Sequence, residues 1–265
     1  MKKNIFLGFL IISFVVYTVI FTRCNDKIEN VSISENEEMD GLISKSNVEP
    51  DDELTWDFPV TPESEEWKQF KTYKEMKEAC LIPDEILPTL STNNLMVVCI
   101  NYPLRFKFYA YDNLKIGLKN VAEDFNGLRE LLVRNDNAQC LYKRFKKDNL
   151  ETLPESDLSP DQIGTLIVSY TLAELILSQE SVIVNFNHEQ LKEIATIAVK
   201  NISLKEQWPQ AYSRTSLKSS AYLLCACLNG INAGILTPDL ELFLETGSLQ
   251  NDGQIGELKR LYETL

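Results

Sequence analysis

A single histidine, His188, has to serve a chain of 265 residues. That scarcity excludes much chemistry at once, because a Ser-His-Asp or Cys-His mechanism, or a metal site with a histidine ligand, would have to be built on this one residue. His188 follows the cap-type residue Asn187 at the first turn of an amphipathic pattern, where exposed histidines are ordinary. The chain also lacks G-x-x-x-x-G-K, G-x-G-x-x-G and H-E-x-x-H, the spacings that cradle phosphate, seat a dinucleotide or bind catalytic zinc. Asn251-Asp252-Gly253 lacks the spaced acids of a calcium loop. No catalytic residue, cofactor or metal site is assigned. Basic clusters are missing too: 26 Lys and Arg stand against 39 Asp and Glu, a net charge of −13. Nucleic acid is therefore not an expected partner, since phosphate contacts are made by Lys and Arg.

Acids are the one abundant catalytic resource. Glu123 with Asp124, or Glu174 with Glu180, are pairs of the kind that perform acid–base work. Acids this numerous also pair by chance, and the expectation is solvated helix faces.

What is present begins with an address. Lys2 and Lys3 precede an uncharged run to Thr22, and Arg23-Cys24 close it, the pattern of a secretory signal or signal anchor over residues 1–23. Two attachments stand beside simple cleavage to a free secreted protein. Cys24 is the candidate lipid-attachment residue, although Arg23 fits poorly where lipoprotein signals place a small residue. Alternatively, Ile5 to Thr22 stays as a helix, which at 1.5 Å per residue is about 27 Å long, just enough to span. Either anchor keeps the lysines inside and exports the acidic remainder. The expected location is the cell envelope, with the membrane as an N-terminal partner.

Residues 24–55 read as an acidic, disordered tether. From Cys24 to Trp56 ten acids face two lysines, a net charge of −8, and large apolar residues are too few to offset ordering entropy. Residues 56–265 form the folded part. It reads as all-α, an irregular multi-helix bundle or a curved stack of helical hairpins with at least ten helices. Trp56-Asp57-Phe58-Pro59-Val60 is an extended lead-in. Helix starts are expected at Thr61-Pro62, Thr72 (with Glu75), Leu81-Ile82-Pro83, Ser91, Asn113, Leu128, Asp136, Ser159-Pro160 (with Gln162), Asn187, Thr215 or Ser216, Thr237-Pro238 and about Gly253. The helix through Ala221 to Leu228 is apolar on more than one face and should be central, ending at Asn229-Gly230. Periodicity lapses over 149–158, a possible subdomain boundary. No repeat of 30–45 residues holds register.

Without Cys24 the chain has an odd set of cysteines, Cys80, Cys99, Cys140, Cys225 and Cys227, which cannot all pair. Buried thiols are expected, and Cys80 with Cys99 is the one pair to examine. Tyr102, Phe106, Phe108, Tyr109 and Tyr111 form a candidate aromatic patch; exposed, it would stack sugars or anchor a protein partner, and buried, it is core. Arg105 to Tyr109 alternates like an edge strand, or is a loop whose aromatics plug the core.

The stretch from Trp56 to about Arg134 resembles a group of uncharacterised exported, lipoprotein-like helical proteins of Bacteroidetes. The resemblance rests on Trp56-Asp57-Phe58-Pro59-Val60, Pro62-Glu63-Ser64-Glu65-Glu66-Trp67-Lys68, Ala79-Cys80-Leu81-Ile82-Pro83, Leu90-Ser91-Thr92, Tyr102-Pro103 and Phe125-Asn126-Gly127-Leu128-Arg129-Glu130-Leu131. It implies an envelope location and a helical fold, and no activity or functional residue. The expected function is a non-enzymatic binding module for a protein or glycan partner at the envelope. The alternatives are a carboxylate-dependent hydrolase acting on an envelope polymer and a structural subunit of an outer-membrane complex.

Overall fold

Side-chain caps decide where this chain turns helical. The computed structural model describes residues 56–148, 150–153 and 156–265; the leader, Cys24 and the acidic segment lie outside the described residues. Within them the fold is all-α, with eleven α-helices and no strand. The helices are α1 (Tyr73–Ala79), α2 (Thr92–Ile100), α3 (Leu114–Asp124), α4 (Asn126–Val133), α5 (Asn137–Lys147), α6 (Pro160–Leu177), α7 (Glu180–Ile183), α8 (His188–Gln207), α9 (Arg214–Ile231), α10 (Pro238–Thr246) and α11 (Gly253–Tyr262). Thr72 with Glu75, Ser159 with Gln162 and Asn187 with Gln190 close reciprocal capping boxes at α1, α6 and α8. Each satisfies two backbone N–H groups that the first turn leaves without partners. Ser91 and Asn113 cap α2 and α3 singly. Gly247 ends α10 at φ 69°, the left-handed position a side chain resists.

Other boundaries fall elsewhere, each for a local reason. No α-helix starts at Thr61-Pro62: the Ser64 hydroxyl donates to the Thr61 carbonyl and accepts from the Trp67 amide. Such bonds compete with helix, leaving only a short 3-10 turn at Trp67–Gln69. At Leu81-Ile82-Pro83 the Asn126 side chain takes both backbone groups of Ile82, accepting at 3.0 Å and donating at 2.7 Å. Arg105–Ala110 is a 3-10 helix rather than a strand or loop. The Arg105 guanidinium donates to the Asn101 and Tyr102 carbonyls just past the end of α2, while Phe108 turns fully into the core. Ser213, not Thr215 or Ser216, caps α9. Helix α9 ends at Ile231, one residue past the expected stop at Asn229-Gly230. Asp136 gives its carboxylate to the Thr92 hydroxyl instead of its own helix.

The core centres on α6, α8 and α9. Helices α8 and α9 pack as a hairpin, and α6 lies against α9. Every residue from Ser219 to Leu228 is buried, as expected of a central helix. A smaller cluster of Leu150, Leu153, Ile167 and Tyr212 covers the link from α5 to α6; no helix is formed by the described residues of 148–159. The lead-in is fastened by rings: Trp56 meets Phe58 edge-on at 4.7 Å, and Phe58 leans on the stacked pair Tyr102 and Phe125, whose centroids are 4.3 Å apart.

One close approach yields a test. A Cβ on Gly117 would sit 2.9 Å from the Phe108 carbonyl oxygen, whereas one on Gly164 would meet nothing within 4 Å. Gly117→Ala should therefore cost about 1–3 kcal/mol by overpacking. Gly164→Ala, inside α6, should be neutral or stabilise by up to about 1 kcal/mol. Paired thermal melts check both; equal behaviour would refute the packing argument.

Candidate functional site

Ten buried residues in succession on α9 include the adjacent serines Ser219 and Ser220. Their hydroxyls meet a carboxylate from α6. Glu174 and Lys205 form an ion pair at 2.8 Å with side chains 1% and 0% exposed. Glu174 Oε1 accepts from Ser220 Oγ at 2.6 Å and Asn201 Nδ2 at 3.1 Å, and Oε2 accepts from Lys205 and from Ser219 in a short contact. Lys205 donates its three protons to Glu174, to the Ser216 carbonyl at 3.0 Å and to Ser220 Oγ at 2.8 Å. Burial pushes the Lys205 ammonium below its ordinary value, opposed by the charge and hydrogen bond of Glu174. The group is a buried ionic network across α6, α8 and α9.

The same lysine forms part of a surface cleft of about 420 Å³. Buried Tyr212 and Ile255 and half-buried Leu217 supply its apolar floor. Glu206, Arg214 and Asp252 stand at its rim, where Arg214 pairs with Asp252 at 2.8 Å and Glu206 with Lys259 at 3.0 Å. The wall between is the turn joining α8 to α9, with Pro209 and Ser213. Lys205 ties the last turn of α8 to the first of α9, and the Tyr212 hydroxyl donates to the Leu150 carbonyl at 2.8 Å. The cleft is thus built on fixed feet.

No family model matches this chain, nor does any curated protein or solved structure.

Of the aromatics singled out in sequence, Tyr102 and Phe108 are buried, Tyr109 and Tyr111 are half-buried, and Phe106 is 49% exposed beneath the Arg105 guanidinium. Tyr109 reaches the network's edge: burial pushes its phenol up, while the Thr171 and Ser213 hydroxyls pull it down. His188 is exposed. The described cysteines are free, with Cys80 and Cys99 unbridged; burial raises the Cys80 and Cys225 thiols to about 12. Among the described residues no group of three His, Cys, Asp or Glu is placed to hold a metal. Neither carboxylate pair is brought together as a site. Glu180 is exposed while Glu174 is buried, and Glu123 pairs with Lys119 at the surface. Asp124 instead gathers the Tyr73 hydroxyl at 2.5 Å, Lys77 at 3.6 Å and Lys107 in a short contact. Lys205, Arg214 and Asp252 were not anticipated. The available signal was Glu174, a charge inside the apolar run of α6, which demands a buried partner.

Two expectations follow. Glu174→Ala leaves a buried ammonium unpaired and should cost about 3–5 kcal/mol, whereas Glu174→Met with Lys205→Met removes both charges and should cost less, its remaining loss coming from the acceptor taken from Asn201, Ser219 and Ser220. Chemical denaturation of both variants measures this; equal losses would contradict the reading. For Asp124, burial raises the carboxyl, but the Lys107 and Tyr73 hydrogen bonds and the Lys107 and Lys77 charges outweigh it, holding it below its ordinary 3.8. A depressed carboxyl contributes stability above its unfolded value and loses it as pH falls through the folded one. The stability advantage over Asp124→Asn should thus shrink below about pH 4, read from melts across pH 2–7.

Proposed function

We propose that this protein is an exported, membrane-tethered binding module of the cell envelope, and that its ligand seat is the cleft between the start of α9 and α11. The cleft carries the reading. Its volume of about 420 Å³ falls in the range of small-molecule sites, about 300–1,000 Å³, and it joins an apolar floor to a few placed polar groups as such sites do. Its wall is pre-set by the Lys205 and Tyr212 bonds, so binding need not order it. The basic, apolar leader and the acidic stretch behind it support the envelope address and the tether, through Cys24 or a retained helix. No helix among the described residues is long and apolar enough to cross a membrane.

One observation favours a second reading, the carboxylate-dependent hydrolase: Glu206 and Asp252 line the same cleft. Each already holds a cation, Lys259 and Arg214 respectively. Proton donation to a leaving group calls for an acid free of such a partner, so binding stands first.

The test uses the full-length chain in its native membrane and then in detergent. Fractionation should place it with membranes. A panel of soluble envelope glycan and peptide fragments should yield a binder whose resonance shifts centre on Tyr212, Arg214 and Ile255. At a hundredfold excess over Kd it should add about 2.7 kcal/mol of stability. Turnover of a fragment that Glu206→Gln or Asp252→Asn abolishes would transfer the cleft to the hydrolase reading. Shifts centred elsewhere would refute it as the seat.

A further inference from the structure

The charges of the cleft have an order that its volume does not convey. Arg214 is the first residue of α9, and Asp252 directly precedes α11. They face each other across the rim at 2.8 Å with side chains 69% and 76% exposed. Glu206, from the last turn of α8, lines the same cleft and is held by Lys259 of α11. Two ion pairs of opposite polarity therefore bind α11 to the α8–α9 hairpin, over a floor of Leu217, Tyr212 and Ile255.

The geometry points to a zwitterionic peptide-like ligand, with its carboxylate on Arg214, its ammonium on Asp252 and Glu206, and an apolar side chain on the floor. This deepens the proposed binding role of the cleft and rests on it. A ligand of a single sign that engages one member of the Arg214–Asp252 pair forms one exposed ion pair for the one it breaks and returns the other member to solvent. A zwitterion substitutes for both halves at once. Because the pair is exposed, its own worth is small, and exchanging it for a matching pair on the ligand costs little. A wholly apolar ligand would use the floor and gain nothing from the rim.

The charges are also held ready. Gln254, 2% exposed, accepts from the Gln250 and Asn251 amides at 2.6 and 3.2 Å and donates to the Asp239 carbonyl at 2.9 Å, which fastens the loop carrying Asp252. At the other side Ser213 accepts from the Ser216 amide at 3.1 Å, which sets the turn from which Arg214 projects. The backbone at both rim residues is thereby fixed, so a ligand need order only their side chains.

The probes are leucyl-leucine with both termini free, its N-acetyl form, its C-terminal amide and the doubly blocked form, titrated into the full-length chain in detergent and followed by amide resonances. The free dipeptide should shift Arg214, Asp252 and Ile255, and each block should weaken binding by about fivefold, the worth of one exposed ion pair. Asp252→Asn should remove the penalty for acetylation and Arg214→Gln the penalty for amidation, each with only the small loss of melting temperature that one exposed ion pair carries. Equal binding of all four forms would overturn the zwitterion inference and leave the cleft a ligand site of apolar preference. Failure of all four, where the fragment panel does find a binder in the cleft, would overturn it as well. An empty result from peptides and panel together would remove both the inference and the reading beneath it.

Discussion

One buried ion pair, Glu174 with Lys205, disciplines the rest of this fold. Helices α6, α8 and α9 form its centre, and α6 is apolar nearly all round over its second half, from Ile167 to Leu177. Leucine, isoleucine and alanine faces are largely interchangeable, so apolar packing alone admits several rotations of such a helix. A carboxylate in the middle of that face does not. Any rotation that carries Glu174 away from Lys205, Asn201, Ser219 and Ser220 leaves a charge buried without partners, at a cost of several kcal/mol.

The same pair reaches the surface through its lysine. Lys205 bridges the end of α8 and the start of α9, and the short turn between them becomes a wall of the cleft. Tyr212, in that turn, is buried in the second apolar cluster and bonded to Leu150. A rigid interior and a shaped exterior are here one construction, because both feet of the turn are bolted to groups that cannot move without exposing a charge or a hydroxyl to an apolar core.

The N-terminal half solves a different problem. Its helices are short, and long links flank α2, so polar side chains stand in for regular backbone pairing there. Asn126 matches both backbone groups of Ile82. Arg134 reaches the Leu87 and Leu90 carbonyls at 3.1 and 2.6 Å while pairing with Glu130. These amide and guanidinium groups satisfy carbonyls and amides that no helix claims. The helix start expected at Leu81 is lost in this way, a local signal giving way to a partner more than forty residues off, Asn126 on Ile82; the one at Thr61 is lost to the nearby Ser64 hydroxyl.

The sequence by itself determined the class of the fold and most of its helix starts. The reason is physical locality. Thr72 with Glu75, Ser159 with Gln162 and Asn187 with Gln190 act across three residues, and the apolar spacing of α8 and α9 repeats within a turn or two, so both are written in consecutive positions. Signals read from a single residue were mixed: Ser91 and Asn113 cap their helices as expected, while Asp136 gives its carboxylate to Thr92 of another helix. The site was barely legible. Glu174 was visible as an acid, yet its partner Lys205 is 31 positions away and looks in sequence like any lysine near the end of an amphipathic helix. Arg214 and Asp252, 38 positions apart, are likewise ordinary surface charges until α11 folds back onto α9. Charge pairing, burial and the cleft depend on distances in space that only the packing of α6, α8, α9 and α11 creates, and that packing is what tertiary structure alone decided.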